Sequence, residues 1–217
     1  MLVLDSGSPL VSVAVGRGGA VLAARAMEIS RSSALLLEMV DAVLHEAGIE
    51  VAALSGVAAL AGPGSFTGLR IGLATVLGLH QALGLPATAL PTLPVLASLA
   101  PPGSGRAVGA VDSLRGEWMV EEWIEGEGQG SALLPGPELA RFAPCSIVGF
   151  GVSRLGELPG WPASSIRLVE PGPLAPAALP LLAALAADAW DPALLSAPIY
   201  ARPPAVTAPR PARRAAG

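Results

Sequence analysis

Lysine is absent from this sequence, and so is asparagine. Without lysine there is no Walker-type phosphate loop, and no Schiff-base chemistry, which needs a primary amine. All 13 basic residues are arginine. Abundant Ala, Gly, Pro and Arg fit a GC-rich coding bias, so the lysine gap is partly drift. The single cysteine, Cys145, excludes an intrachain disulfide. Its neighbours Phe142, Ala143, Pro144 and Ile147 suit a small buried hydrophobe. The two histidines, His45 and His80, lie in separate helical stretches with no second ligand at metal spacing, which argues against zinc. Charged residues make up only 14%, and the net charge of −4 offers no broad attraction to nucleic acid.

Apolar residues are plentiful: 52% of 217 positions, enough for a substantial core. No charged side chain occurs from 71 to 105. Pro86, Pro91 and Pro94 chop that run, and His80 and Gln81 sit inside it, so buried helix and strand are expected rather than a membrane span. The first residues carry no basic region and meet Asp5 at once. No signal peptide is expected, and the expected location is the cytoplasm.

Leu2, Val3 and Leu4 form a short apolar strand, ended by the turn Asp5-Ser6-Gly7-Ser8-Pro9. Val11, Val13 and Val15 alternate as a half-buried strand does. After Gly16 to Gly19 a third strand is expected from Ala20 to about Glu28. The period then changes. Leu36, Met39, Val40, Val43, Leu44 and Ala47 recur at helical spacing, with Ser32 or Ser33 to cap the start and Gly48 the end. Leu35 and Leu37 lie off that stripe, so the helix is apolar on more than one side, as a helix awaiting a cover would be. A central strand from Gly56 to Ala61 follows. Then come the loop Gly62-Pro63-Gly64-Ser65, a helix from about Phe66 to Leu85, a strand from Pro86 to Leu90 and a helix from Thr92 to Ala100. Pro101 to Gly105 reads as a linker. Beyond it the opening is echoed: strand 108–111, then Asp112-Ser113, then a strand through Trp118 and Val120. That echo suggests a duplication. The second half is expected to degrade into a weak helix at 137–142, a strand at 146–150 and a helix at 176–190. The expected division is an N-terminal lobe (1–100, βββαβαβα), a smaller C-terminal lobe (106–200), and a Pro/Arg-rich, disordered tail (201–217).

Two constellations could carry chemistry. Asp5, with Ser6, and Asp112 each follow a strand, so they could face each other across a cleft and organise phosphate, magnesium or water; equally, each could cap its own turn. The glycine loop lies between strand and helix, where backbone N–H groups can receive an anion. It lacks the Walker lysine, a dinucleotide fingerprint and the order of a nucleophile elbow. The following helix carries small residues three or four apart: Gly68, Gly72, Thr75, Gly78 and Ala82. Interior glycines cost about 1 kcal/mol each against alanine, so close approach of another backbone, in this chain or a second one, is expected.

The run Gly62-Pro63-Gly64-Ser65-Phe66-Thr67-Gly68-Leu69-Arg70-Ile71-Gly72 resembles the signature of the bacterial tRNA threonylcarbamoyladenosine biosynthesis protein TsaB family. Leu4 to Ser8, Leu36 to Val40, Val111 to Glu117 and Pro198 to Arg202 resemble other parts of that family in order. The resemblance implies an actin-like (ASKHA, ribonuclease H-like) two-lobed α/β fold and a non-catalytic subunit. Its implied partners are the larger paralogue TsaD, which transfers threonylcarbamoyl to adenosine, and the ATPase TsaE. It implies a homodimer in isolation, tRNA contact only through the complex, and no tightly bound cofactor, with ATP or ADP reserved for the partner interface. Docking through the first two helices, as half of a four-helix bundle, implies an interface at Leu36, Met39, Val40, Val43, Gly68, Gly72, Thr75 and Leu79. The family's usual histidine is Ser32 here, and two usual arginines are Ala61 and Leu114. These departures touch nucleotide contact more than docking. The alternative is an actin-like ATPase or phosphotransferase using Asp5 and Asp112.

Overall fold

A computed structural model describes residues 1–28 and 32–202, with side chains described from 35 onward in the first helix. The cap expected at Ser32 or Ser33, and the tail beyond Arg202, lie outside the described residues. Within them the chain runs β1 (Leu2–Asp5), β2 (Leu10–Arg17), β3 (Ala20–Glu28), α1 (Ser32–Ala47), β4 (Val57–Gly62), α2 (Phe66–Leu83), β5 (Ala87–Pro91) and α3 (Thr92–Ser98). It continues with β6 (Arg106–Asp112), β7 (Glu117–Ile124), β8 (Glu127–Pro135), β9 (Cys145–Val148), β10 (Ile166–Val169) and α4 (Leu174–Ala183).

The strands form two five-stranded sheets, ordered β3-β2-β1-β4-β5 and β10-β9-β6-β7-β8. Read from the opposite edge, the second order repeats the first: an antiparallel meander, then two parallel additions on its first strand. This doubled arrangement is the actin-like, ribonuclease H-like fold, and it gives the echo in the sequence a structural form. The reduction of the second lobe lies in its helices. Where the first lobe has α1 and α2, the second has only 3-10 turns at Gly136–Phe142 and Val152–Glu157. β8 and β10 complete its sheet, although neither was expected from the sequence.

Period-two alternation places the core on both faces of the first sheet. Leu2, Leu4, Val11, Val13, Val15, Val57 and Ala59 point to the layer beneath α1 and α2. Val3, Ala14, Ala58, Leu60 and Leu90 point the other way, onto α3 and α4, where Val148 of the second sheet joins them. The two middle helices are thus sandwiched between the sheets. α4 starts at Leu174, earlier than expected, because Pro176 falls in its first turn, where a missing N–H costs nothing. It ends at Ala183, well before Trp190.

The lobes do not divide at the linker alone. α4 packs on β1 and β2, and Ser12 Oγ accepts from Ala175 N at 3.1 Å. Farther on, Ile199 N donates to Ala61 O at 2.7 Å. The chain from Leu174 to Ile199 therefore returns to the first sheet, though the sequence assigned it to the second lobe. No helix among the described residues is long and apolar enough to cross a membrane.

Candidate functional site

β1 ends where Asp5 turns the chain. Its Oδ1 accepts from Gly7 N at 3.0 Å and Ser8 N at 3.2 Å. Oδ2 is buried without a partner. Burial pushes the carboxyl from 3.8 to about 6, against the opposing pull of the hydrogen bonds from Ser8 and Gly7. The same turn seats α2. Gly7 O accepts from Ser65 N at 2.8 Å, and Ser6 Oγ donates to Gly68 O at 2.8 Å. A Cβ on Gly68 would overlap the Ser6 carbonyl oxygen, and one on Gly72 the Ser6 hydroxyl. These two glycines are therefore explained by close approach inside the fold. Ser65 Oγ caps α2 by accepting from Gly68 N at 3.3 Å.

The second aspartate stands at the end of β6. Asp112 Oδ1 accepts from Leu114 N at 2.7 Å, and Oδ2 accepts from Arg154 Nη2 at 2.7 Å. The hairpin beyond it holds Leu114, Arg115 and Gly116 at φ of 67°, 59° and 78°. Only the glycine suits that left-handed region. Ser113 clamps the turn, its N and Oγ both donating to Glu117 O.

The two sheet ends face a cleft of about 670 Å³, walled by Gly7, Ser8, Gly64, Thr92, Asp112 and Phe150 among others. Asp112 lies on that wall; Asp5 lies behind it, 1% exposed beneath its own turn. The expected pair across a cleft is thus only half assembled. The nucleotide that the fold implies fits the wall poorly. Its charged lining side chains are Glu28 and Asp112, no basic side chain among the described residues joins them, and Arg154 is already committed to Asp112. Nor do three His, Cys, Asp or Glu side chains gather at metal distance among the described residues. Burial pushes the Cys145 thiol up to about 11, which disfavours the thiolate.

The interface expected on the helices needs correction. Leu36, Met39, Val40 and Val43 are at most 8% exposed and pack into the chain's own core, so none can meet a partner. Their spacing reports attachment to this sheet. Gly68 and Gly72 are buried against Ser6. Thr75 and Leu79 are half-buried and remain at the surface's edge; Thr75 Oγ1 donates back to Ile71 O at 2.8 Å. The outward face of α1 is Leu37, Glu38, Asp41, His45 and Glu46, largely polar. The exposed residues of α2 are Phe66, Thr67, Arg70, Ala74, Gly78, Gln81, Ala82 and Leu83, with Arg70 the one charge and small residues in the middle. Gly78 differs from its sister glycines, since a Cβ there would meet nothing within 4 Å.

One group escaped the sequence reading. The Phe66 ring stacks on Tyr200 with centroids 4.8 Å apart. The Arg70 guanidinium lies 4.1 Å over the same Phe66 ring, and its Nε donates to Tyr200 Oη at 3.0 Å. Two residues on, Arg202 pairs with Glu117 at the start of β7. Residues 198–202 thus form a strap from the N-terminus of α2 to the second sheet, and Arg202, expected in a disordered tail, is anchored. The only signal was that Phe66, Arg70 and Tyr200 all fall in the segments that carry the family resemblance.

A family model described as TsaD, tRNA N6-adenosine threonylcarbamoyltransferase, matches residues 27–120. The tRNA threonylcarbamoyladenosine biosynthesis protein TsaB of Escherichia coli is 31% identical over 129 residues, 58% of this chain. That alignment spans only 56% of the E. coli protein's own length. The solved structure of YeaZ from Pseudomonas aeruginosa superposes with a TM-score of 0.68 at 30% identity, covering 84% of this chain and 89% of that one. A second structure from P. aeruginosa, described as similar to YeaZ, gives 0.69 at 28% identity over 83% and 88%. The fold agrees with YeaZ along most of both chains at 30% identity, and the protein belongs to the TsaB (YeaZ) family.

Proposed function

We propose that the chain is a non-catalytic docking subunit in tRNA N6-threonylcarbamoyladenosine biosynthesis, presenting α2 to a larger TsaD-type paralogue that performs the transfer. Gly78 carries this reading. A glycine inside an exposed helix costs about 1 kcal/mol against alanine. Nothing among the described residues comes near enough to require it. A second backbone crossing at Ala74, Gly78 and Ala82 would require it, because small residues let helices approach closely. The span matched by the TsaD model contains both α1 and α2, so a paralogue built on the same helix pair could face this one across a pseudo-twofold axis.

The absence of chemistry in the reading is supported by the state of the two aspartates. Asp5 is sealed under its turn, and Asp112 is held by Arg154. A nucleotide at the partner interface would have to draw its cations from the paralogue. A TsaE-type ATPase would join the assembled pair, and the chain alone would form a homodimer through the same α2 face, in the cytoplasm.

The test is co-elution with the TsaD-type paralogue of the same organism. Gly78→Arg is expected to weaken the complex by about 100-fold or more, since a long side chain would separate the helices, while the melting temperature stays at or above wild type. Met39→Arg is no substitute, because a charge at that buried site would unfold the chain. Wild-type co-elution by Gly78→Arg would exclude α2 as the docking face.

A further inference from the structure

The geometry points to a second contact surface, for RNA phosphate, running from the N-terminus of α2 along the strap to the β6–β7 turn. It rests on the reading that the chain serves a tRNA-modifying assembly. The surface is continuous by contact. Arg70 bonds Tyr200, Arg202 pairs with Glu117, Ser113 bonds Glu117, and Leu114 and Arg115 follow Ser113. Arg154 closes it on Asp112. Along this path stand four arginines and three carboxylates: Asp112 and Glu117 are paired with arginine, and Glu170, beside Arg154, is held by Gly151 N and Ser153 N.

Arg70 and Arg115 are exposed and have no carboxylate partner among the described residues. Elsewhere Arg25, Arg106 and Arg141 each have one. Arg17 and Arg167 also have none there, but they stand singly, at the far end of the first sheet and on the edge strand β10. Arg70 is preorganised. Phe66 supports its flat face and Tyr200 takes its Nε, which leaves the Nη edge to fork onto an anion. Arg115 is held out by a left-handed turn that costs a non-glycine residue about a kcal/mol, clamped by Asp112 and Ser113.

A carboxylate-bearing protein could be recognised by the same forks, but the distribution favours RNA. The chain is net negative at −4, so a polyanion is admitted only where cations are segregated. Here they follow one path of contacts, past the exposed side chains of Phe66 and Leu114, as the phosphates and bases of an RNA strand could be met in turn.

The experiment titrates a labelled, unmodified tRNA transcript with the complex of this full chain and its TsaD-type paralogue, by fluorescence anisotropy over a series of salt concentrations. The double variant Arg70→Gln, Arg115→Gln is expected to bind about tenfold more weakly near 0.1 M salt. Its slope of log K against log salt should fall by about 2, one per lost phosphate contact. Arg70→Lys, Arg115→Lys keeps the charges and should keep most of the slope, which a purely structural role for Arg70 would not allow. Both variants should co-elute with the paralogue, because Arg70 is turned onto Phe66 and Tyr200 at the start of α2, outside the crossing proposed at Ala74, Gly78 and Ala82. Unchanged affinity and slope in the glutamine variant overturns the proposal. So does loss of the paralogue in place of RNA, which assigns the arginines to a protein. Failure of the α2 docking reading shows separately, as co-elution of Gly78→Arg.

Discussion

Gly68→Ala is expected to destabilise the chain by ~3 kcal/mol or more, whereas Gly78→Ala, on the same helix, stabilises it by about 1 kcal/mol. Helix propensity alone predicts a gain at both sites. The difference is what the new methyl meets. At Gly68 it meets the Ser6 carbonyl oxygen, backbone that cannot swing aside. Relief requires α2 to lift from β1, which would strip the Ser6 Oγ bond to Gly68 O and the Ser65 N bond to Gly7 O. Either bond left buried and unmade adds about 1–3 kcal/mol. At Gly78 the methyl meets nothing within 4 Å. Urea melts of both variants at one pH give the comparison. A Gly68→Ala variant as stable as wild type would mean that α2 is not pressed onto the Asp5 turn.

The contrast also shows how far the sequence could be read. α1, β4 and α2 were legible because each depends on neighbours in sequence: the stripe Leu36, Met39, Val40, Val43, the uninterrupted run of β4, the glycines at 48 and 62–64. Which glycine faces inward was not legible. Gly68, Gly72 and Gly78 belong, with Thr75, to one series of small residues three or four apart, and the position of Ser6 separates the first two glycines from the third. For the same reason the stripe of α1 was mistaken for a docking face: period identifies a buried side but not what buries it. β8 was missed because Gly126, Gly128 and Gly130 sit at alternate places and leave no apolar period to count. The strap was beyond reach, since Arg70 and Tyr200 are separated by 130 positions in the chain. The candidate site repeats the pattern. Asp5 and Asp112 were found as strand-end turns, but burial of the first and capture of the second by Arg154 are properties of the assembled sheets.

Asp5→Asn tests whether that burial is as costly as it looks, and its expected outcome depends on pH. The folded carboxyl titrates near 6, above its ordinary 3.8, because burial disfavours the charged form. The native state therefore holds its proton more tightly than the unfolded state does. Between about pH 4 and pH 6 stability falls as pH rises, and above 6 the full cost of the buried anion is present, ~3 kcal/mol from the size of the shift. Asparagine keeps an oxygen for Gly7 N and Ser8 N, and its amide replaces the unpartnered Oδ2. That amide, buried without an acceptor, recovers only part of the cost. The expected gain is ~1–3 kcal/mol at pH 7.5, shrinking to nearly nothing at pH 4, where the native aspartate is itself neutral. Paired thermal melts across that range measure it. A difference that stays constant with pH would show that Oδ2 reaches water or a cation when the protein is in solution. A kinase-like cleft needs its carboxylate charged and accessible. A carboxylate whose removal stabilises the fold at neutral pH instead serves as a turn that fixes α2 in place.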